Sequence, residues 1–210
     1  FNWPLDQTSG VPGLPEGVSV MPAPMGLATP MTIGSAMVTP CGSGKTYSMC
    51  RAAVPISKKK LVIVTTCNRL FTRASCADWE ASCGKADVVC YLDGLGKDEA
   101  AKEAKRQLRE MIKRGHGVIF ISIESFLMLN GIEPSKVGLL LLEETSELAS
   151  KMLSETCPCV RPFRLLRDVA QGAERVVFTD ADFESDGREG GRCHRLHTYL
   201  LGPTVPLCIF

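Results

Sequence analysis

The sequence predicts an α/β fold, a parallel sheet covered by helices on both faces. Three observations carry that expectation. Short apolar runs recur at residues 33–38, 61–64, 88–92, 117–122, 137–142 and 175–179. They are continuous and not alternating, as in strands buried on both faces. Stretches of helical character alternate with most of them, at 45–53, 70–82, 97–114, 146–153 and 163–171. Polar residues also follow five of the six runs, at 39–46, 65–69, 122–125, 143–144 and 179–182. In parallel sheets ligands sit outside the carboxyl ends of the strands, so these tails define one functional edge.

The chain has 210 residues and a formal net charge of +1, with 45% hydrophobic residues. That length suits one domain with a substantial core. The charge excludes a global basic field, so a nucleic-acid site would have to be a local patch. No apolar stretch approaches membrane-spanning length and no secretory leader is evident, so no membrane partner is expected. The ten cysteines have irregular spacing. Cys157 and Cys159 stand too close for the common zinc knuckles, which makes reduced thiols in an intracellular setting the expectation.

In chain order, residues 1–30 are rich in Pro and Gly and read as an extended arm or linker. Residues 31–185 form the predicted domain, and 186–210 read as a connector. The apolar run 33–38 leads into Thr39-Pro40-Cys41-Gly42-Ser43-Gly44-Lys45-Thr46, and a helix leads out. This strand–loop–helix context is that of a phosphate-binding loop. Gly42 and Gly44 allow inward-pointing amides, Lys45 brings charge to the outer phosphates, and the Thr46 hydroxyl suits Mg²⁺. Thr39 stands where the motif usually has its first glycine.

Pro55 and Lys58 to Lys60 mark a loop before the second strand, and Thr65 to Arg69 follow that strand. The helix at 97–114 has acidic residues early and basic ones late, and its charges read as a solvated face. Residues 123–127 continue the strand at 117–122 into a helix. Leu139 to Leu142 run into Glu143-Glu144. In a nucleotide site the first carboxylate assists the metal and the second orients or deprotonates water. The alternative is a helix start, where the dipole favours acids. Pro158 and Pro162 break the chain, and the last strand ends in Asp180-Ala181-Asp182, a metal pair or a helix cap when taken alone.

With both motifs in place, the chain resembles the N-terminal RecA-like motor domain of superfamily 2 DNA helicases. It looks most like the origin-of-replication-binding helicases of large DNA viruses and transposons. Residues 39–46, 61–70, 121–127, 140–148 and 176–183 carry the likeness. The resemblance implies ATP and Mg²⁺ as cofactors, with Thr39 to Thr46 as the nucleotide cradle, Lys45 and Glu144 catalytic, and Thr46 and Glu143 on the metal. It implies single-stranded DNA along Thr66, Cys67, Asn68, Arg69, Ser122, Glu124 and Ser125. For Ser122 and Ser125 helix capping is an equal reading, and Arg69 alone would be a surface cation. Thr179, Asp180 and Asp182 would couple nucleotide state to closure against a second RecA-like domain, in cis or in trans.

Two departures stand out. Glu143 replaces the family's Asp, one methylene longer, and Mg²⁺ geometry is strict at about 2.0–2.1 Å. Too few residues follow Asp182 for a second motor domain, and the chain opens on Phe1, which together read as a fragment or a reused piece. The expected function is ATP hydrolysis coupled to movement on single-stranded DNA in replication, in the nucleus, the cytoplasm or a viral replication site. A non-catalytic scaffold derived from such a domain is the alternative. A P-loop kinase is a third, for which no acceptor-binding signature is present.

Overall fold

The computed structural model describes residues 35–38, 45–85, 87–92, 99–154, 159–180, 191–205 and 208–209. The expected arm, Thr39 to Gly44 and Asp182 lie outside the described residues. Among the described residues seven strands form one sheet: β1 (Ser35–Val38), β2 (Leu61–Thr66), β3 (Val88–Tyr91), β4 (Gly117–Ser122), β5 (Val137–Glu143), β6 (Val176–Asp180) and β7 (Cys208–Ile209). Their order is β3-β4-β2-β5-β6-β1-β7, and every pairing is parallel. Every residue of β2, β4, β5 and β6 is buried. Their uninterrupted apolar composition therefore reflects helices on both faces.

The helices are α1 (Lys45–Ser57), α2 (Arg69–Cys83), α3 (Glu99–Arg114), α4 (Thr145–Leu153), α5 (Val160–Gly172) and α6 (Arg192–Leu201). Strand side chains alternate between faces. Val62, Val64, Val118, Phe120, Leu139, Leu141 and Val177 meet Met49 and Ala53 of α1 and Cys76 and Trp79 of α2. Trp79 packs edge-on to Phe120, with ring centroids 5.8 Å apart. Leu61, Ile63, Ile119, Ile121, Leu140, Leu142, Val176 and Phe178 face the other way, towards α3, α4, α5 and α6. Each large apolar side chain so buried is worth about 1.5–3 kcal/mol, and together they fix the sheet between its two helical layers.

The structure differs from the sequence expectations in four places. α1 runs through Pro55, which falls in its last turn, where one backbone bond is lost before the helix ends anyway. α5 starts at Val160 and takes Pro162 into its first turn, where the missing N–H has no helical partner to lose. Residues Ile123–Leu129 wind as a 3₁₀ helix, not an α-helix. Within the expected connector, α6 packs against α4 and α5, and β7 extends the sheet beside β1. The reason is visible in α6, which buries Cys193, Leu196, His197, Leu200 and Leu201 at helical spacing.

Candidate functional site

The strand register assembles one edge. Val38, the residue before the phosphate-loop motif, pairs with Asp180, and Thr179 pairs with Glu143. Hence β6 lies between the strand that enters the motif and the strand that carries the acids. Two strand spacings put those ends about 9–10 Å apart. Thr66 and Ser122 end β2 and β4 at the same level as each other on that edge. Lys45 and Thr46 open α1.

Glu143 is 7% exposed, a carboxylate held at the end of an apolar strand. Its Oε2 accepts a hydrogen bond from Ser75 Oγ of α2. That bond orients the carboxylate and offsets part of its desolvation. Glu144 follows with φ 53° and ψ 56°, in the left-handed region. A non-glycine residue pays roughly 1–2 kcal/mol there. The fold turns its chain sharply at this residue, which takes the second acid off the strand line and onto the start of α4.

The end of β6 holds that turn. Ser146 N donates to Asp180 Oδ2 at 2.6 Å, so Asp180 caps α4 from a neighbouring strand. Thr145 Oγ1 lies 3.1 Å from both the Leu142 and Thr179 carbonyls, and its one proton is shared between them. Thr179 Oγ1 reaches the Leu142 carbonyl at 3.4 Å. Thr179 and Asp180 are thus bonded directly to the segment that carries the two glutamates.

The residues expected along nucleic acid divide by exposure. Arg69 is exposed at the start of α2, and Asn68 is half-buried with its side-chain oxygen capping that helix through Leu70 N (2.9 Å) and Phe71 N (3.1 Å). Thr66 is buried, with Oγ1 bonded to Thr72 Oγ1 (2.7 Å) and the Asn68 carbonyl (2.8 Å). Ser122 and Ser125 are buried and touch each other at 3.4 Å, and Ser122 is the N-cap residue of the 3₁₀ helix without a side-chain capping bond. Cys67 is buried, and burial, reinforced by the Glu147 charge, pushes its thiol up to about 11, so it stays protonated. Glu124 pairs with Lys151 of α4, whose Nζ also donates to the Cys67 carbonyl at 3.0 Å.

Ser75, Thr145, Ser146 and Lys151 are members of this network that sequence reasoning missed. Ser75 stands 68 residues from Glu143, and no local pattern marks the pair. Among the described residues no group of three or more His, Cys, Asp or Glu side chains is placed to hold a metal. Mg²⁺ does not need such a cage, since it keeps waters and binds through one or two carboxylates plus substrate phosphates. Glu143, with hard oxygen donors at the strand end, fits that demand. Among the described residues no helix is long and apolar enough to cross a membrane.

No family model matches the chain, and no curated protein matches it. Solved structures do. The fold is similar to that of the UvsW helicase from bacteriophage T4, with a TM-score of 0.53 and 10% identity over 86% of this chain and 54% of that one. It is also similar to the SWI2/SNF2 ATPase core of Sulfolobus solfataricus in complex with dsDNA, with a TM-score of 0.51 and 8% identity over 83% of this chain and 32% of that one. The chain spans about half and about a third of those two structures. It has the RecA-like α/β fold found in helicase ATPase cores.

Proposed function

We propose that this chain is an ATP-binding motor domain of the superfamily 2 helicase type, acting on DNA and suited to replication. The observation that carries the reading is the register Val38–Asp180 and Thr179–Glu143, which sets the phosphate-loop strand and the acidic strand on either side of β6 at one edge. In this reading residues 39–46 cradle the phosphates, with Lys45 at the outer ones. Thr46 and Glu143 hold Mg²⁺, which when bound neutralises charge between the phosphates. Glu144, in the left-handed turn that opens α4, orients the attacking water. Asp180 and Thr179 pass the state of that turn to β6, where a second RecA-like domain would close. Single-stranded DNA would run past Asn68 and Arg69, the members of the expected path that reach the surface at the end of β2.

One observation favours a second reading, a non-catalytic scaffold. Glu143 replaces Asp and is already engaged by Ser75. Steady-state ATP turnover with and without single-stranded DNA separates the two. DNA-stimulated hydrolysis that Glu144→Gln abolishes supports the motor. Binding without turnover, even with a second motor domain supplied, supports the scaffold.

A further inference from the structure

We propose that the outer face of α5 and α6 is a second contact surface for nucleic acid, gripping its phosphate backbone through Arg161, Arg164, Arg167, Arg192 and Arg195. The proposal rests on the nucleic-acid reading above and carries its path from the strand ends onto the helical layer.

On α5 the arginines recur at i, i+3 and i+6, one stripe of the helix. Arg161 and Arg164 are exposed and have no ion-pair partner among the described residues. Arg167 lies 3.9 Å from Asp168, the one acid on α5, and its guanidinium sits over the Tyr199 ring at 5.3 Å. That contact joins the α5 stripe to α6, on which Arg192 and Arg195 are exposed on the same side as Tyr199. Arg192 also donates to Ser150 Oγ of α4 at 2.6 Å. The helices lead into parallel strands, so both begin at the edge where the phosphate loop and the acids lie. From Arg161 to Arg167 is about 9 Å along the helix, the rise of roughly three nucleotides of one strand.

The helix dipole does not favour this placement. The first turns of α5 and α6 hold no acidic residue. Arg161 and Arg192 there oppose the helix dipole, at about 0.3–1 kcal/mol each. The contrast is α3, also basic, where Glu99 leads, Lys113 and Arg114 close the helix, and Lys102 and Arg106 pair with Glu99, Glu103 and Glu110. Those charges are satisfied within the helix and favoured by its dipole. A chain of net charge +1 thus gathers five cations on two helix faces, and two of them, Arg161 and Arg164, have no ion-pair partner among the described residues. All five are arginine, whose planar fork suits bidentate phosphate contact, and continuity with the strand-end edge favours nucleic acid over an acidic protein.

The test is a salt series on binding of a mixed-sequence single-stranded oligonucleotide to the unaltered chain, to Arg164→Gln/Arg195→Gln, and to Arg69→Ala, with thermal unfolding as the fold control. The double variant should bind about tenfold more weakly at low salt, with a slope of log K against log salt shallower by about 1.4. Equal affinity and slope in the double variant would overturn the proposal, and if Arg69→Ala still weakened binding the strand-end path would stand alone. Loss in the double variant with Arg69→Ala unchanged would keep the α5–α6 face and remove the Arg69 path. No binding by the unaltered chain would overturn both nucleic-acid readings and leave the nucleotide site to its own test. Displacement of the oligonucleotide by polyglutamate at equal charge concentration would assign the face to an acidic protein and overturn it too.

Discussion

The two ends of the strands are built from different materials. At the amino ends the chain is packed tightly on glycine. A Cβ on Gly138, the second residue of β5, would come within 2.6 Å of Ile56 Cγ2 and 2.9 Å of Lys60 Cβ. One on Gly117 would meet Met111 Sδ at 2.9 Å and the Asp87 carbonyl at 3.0 Å. At the carboxyl ends the interior is polar instead. Thr65, Thr66, Thr72, Ser75, Ser122, Ser125, Glu143, Thr145, Thr179 and Asp180 are buried there, on the last strand residues or the first turns that follow. Burying such groups costs free energy unless each is bonded, and the Thr65 hydroxyl has no partner among the described residues. The amino ends therefore read as stability, and the carboxyl ends as the costly polar edge to which the proposed function assigns the nucleotide.

His197 is the buried polar side chain that breaks this division, since it lies late in α6 against Phe178, ring centroids 5.6 Å apart. Burial, with a smaller contribution from the His194 charge, pushes its imidazole down to about 4 from an ordinary 6.5. The unfolded chain takes up the proton that the folded state refuses. Stability should therefore be whole above pH 6.5 and fall as the pH drops towards 4, by about 3 kcal/mol in all. His197→Leu should flatten that limb of a pH series of denaturant melts. An unchanged limb would show that other groups set the acid sensitivity.

Gly138→Ala sharpens the contrast from the amino side. The clash should cost about 1–3 kcal/mol of stability and leave nucleotide affinity per folded molecule unchanged. A lost affinity at full stability would erase the division between the two ends.

Glu144→Gly probes the carboxyl side with the opposite sign. Relief of the left-handed turn should stabilise the fold by about 1 kcal/mol, while ATP turnover should fall at least a hundredfold with the carboxylate proposed to orient water gone. Chemical melts and steady-state kinetics on one preparation read both quantities. A variant that is less stable and fully active would mean that Glu144 is a structural cap.

Much of the fold was legible because β2, β4, β5 and β6 announce themselves as apolar runs and the polar tails fall at one edge. The seventh strand was not, because two residues carry no period, and α6 was hidden by the Gly-rich stretch before it, though its apolar spacing is plain once the helix is known. The sequence carries the phosphate-loop motif, the acids and Asp180 in that order, but does not show that Asp180 caps α4 or that Ser75 holds Glu143, since both bonds join residues distant in sequence. Thr66, Ser122 and Ser125 show a further limit. A hydroxyl at a strand end reads the same in sequence whether it faces a ligand or the interior, and here all three are buried.

The central claim is that this edge is a nucleotide site, and Lys45 at the start of α1 tests it most directly. Equilibrium titration of Mg²⁺–ATP against the unaltered chain and Lys45→Ala, with thermal unfolding on both, is the measurement. The account predicts saturable binding that Lys45→Ala weakens at least tenfold at an unchanged unfolding temperature, because a charge-assisted phosphate contact is lost. Equal affinity in a folded Lys45→Ala protein, or no binding by the unaltered chain, would contradict it.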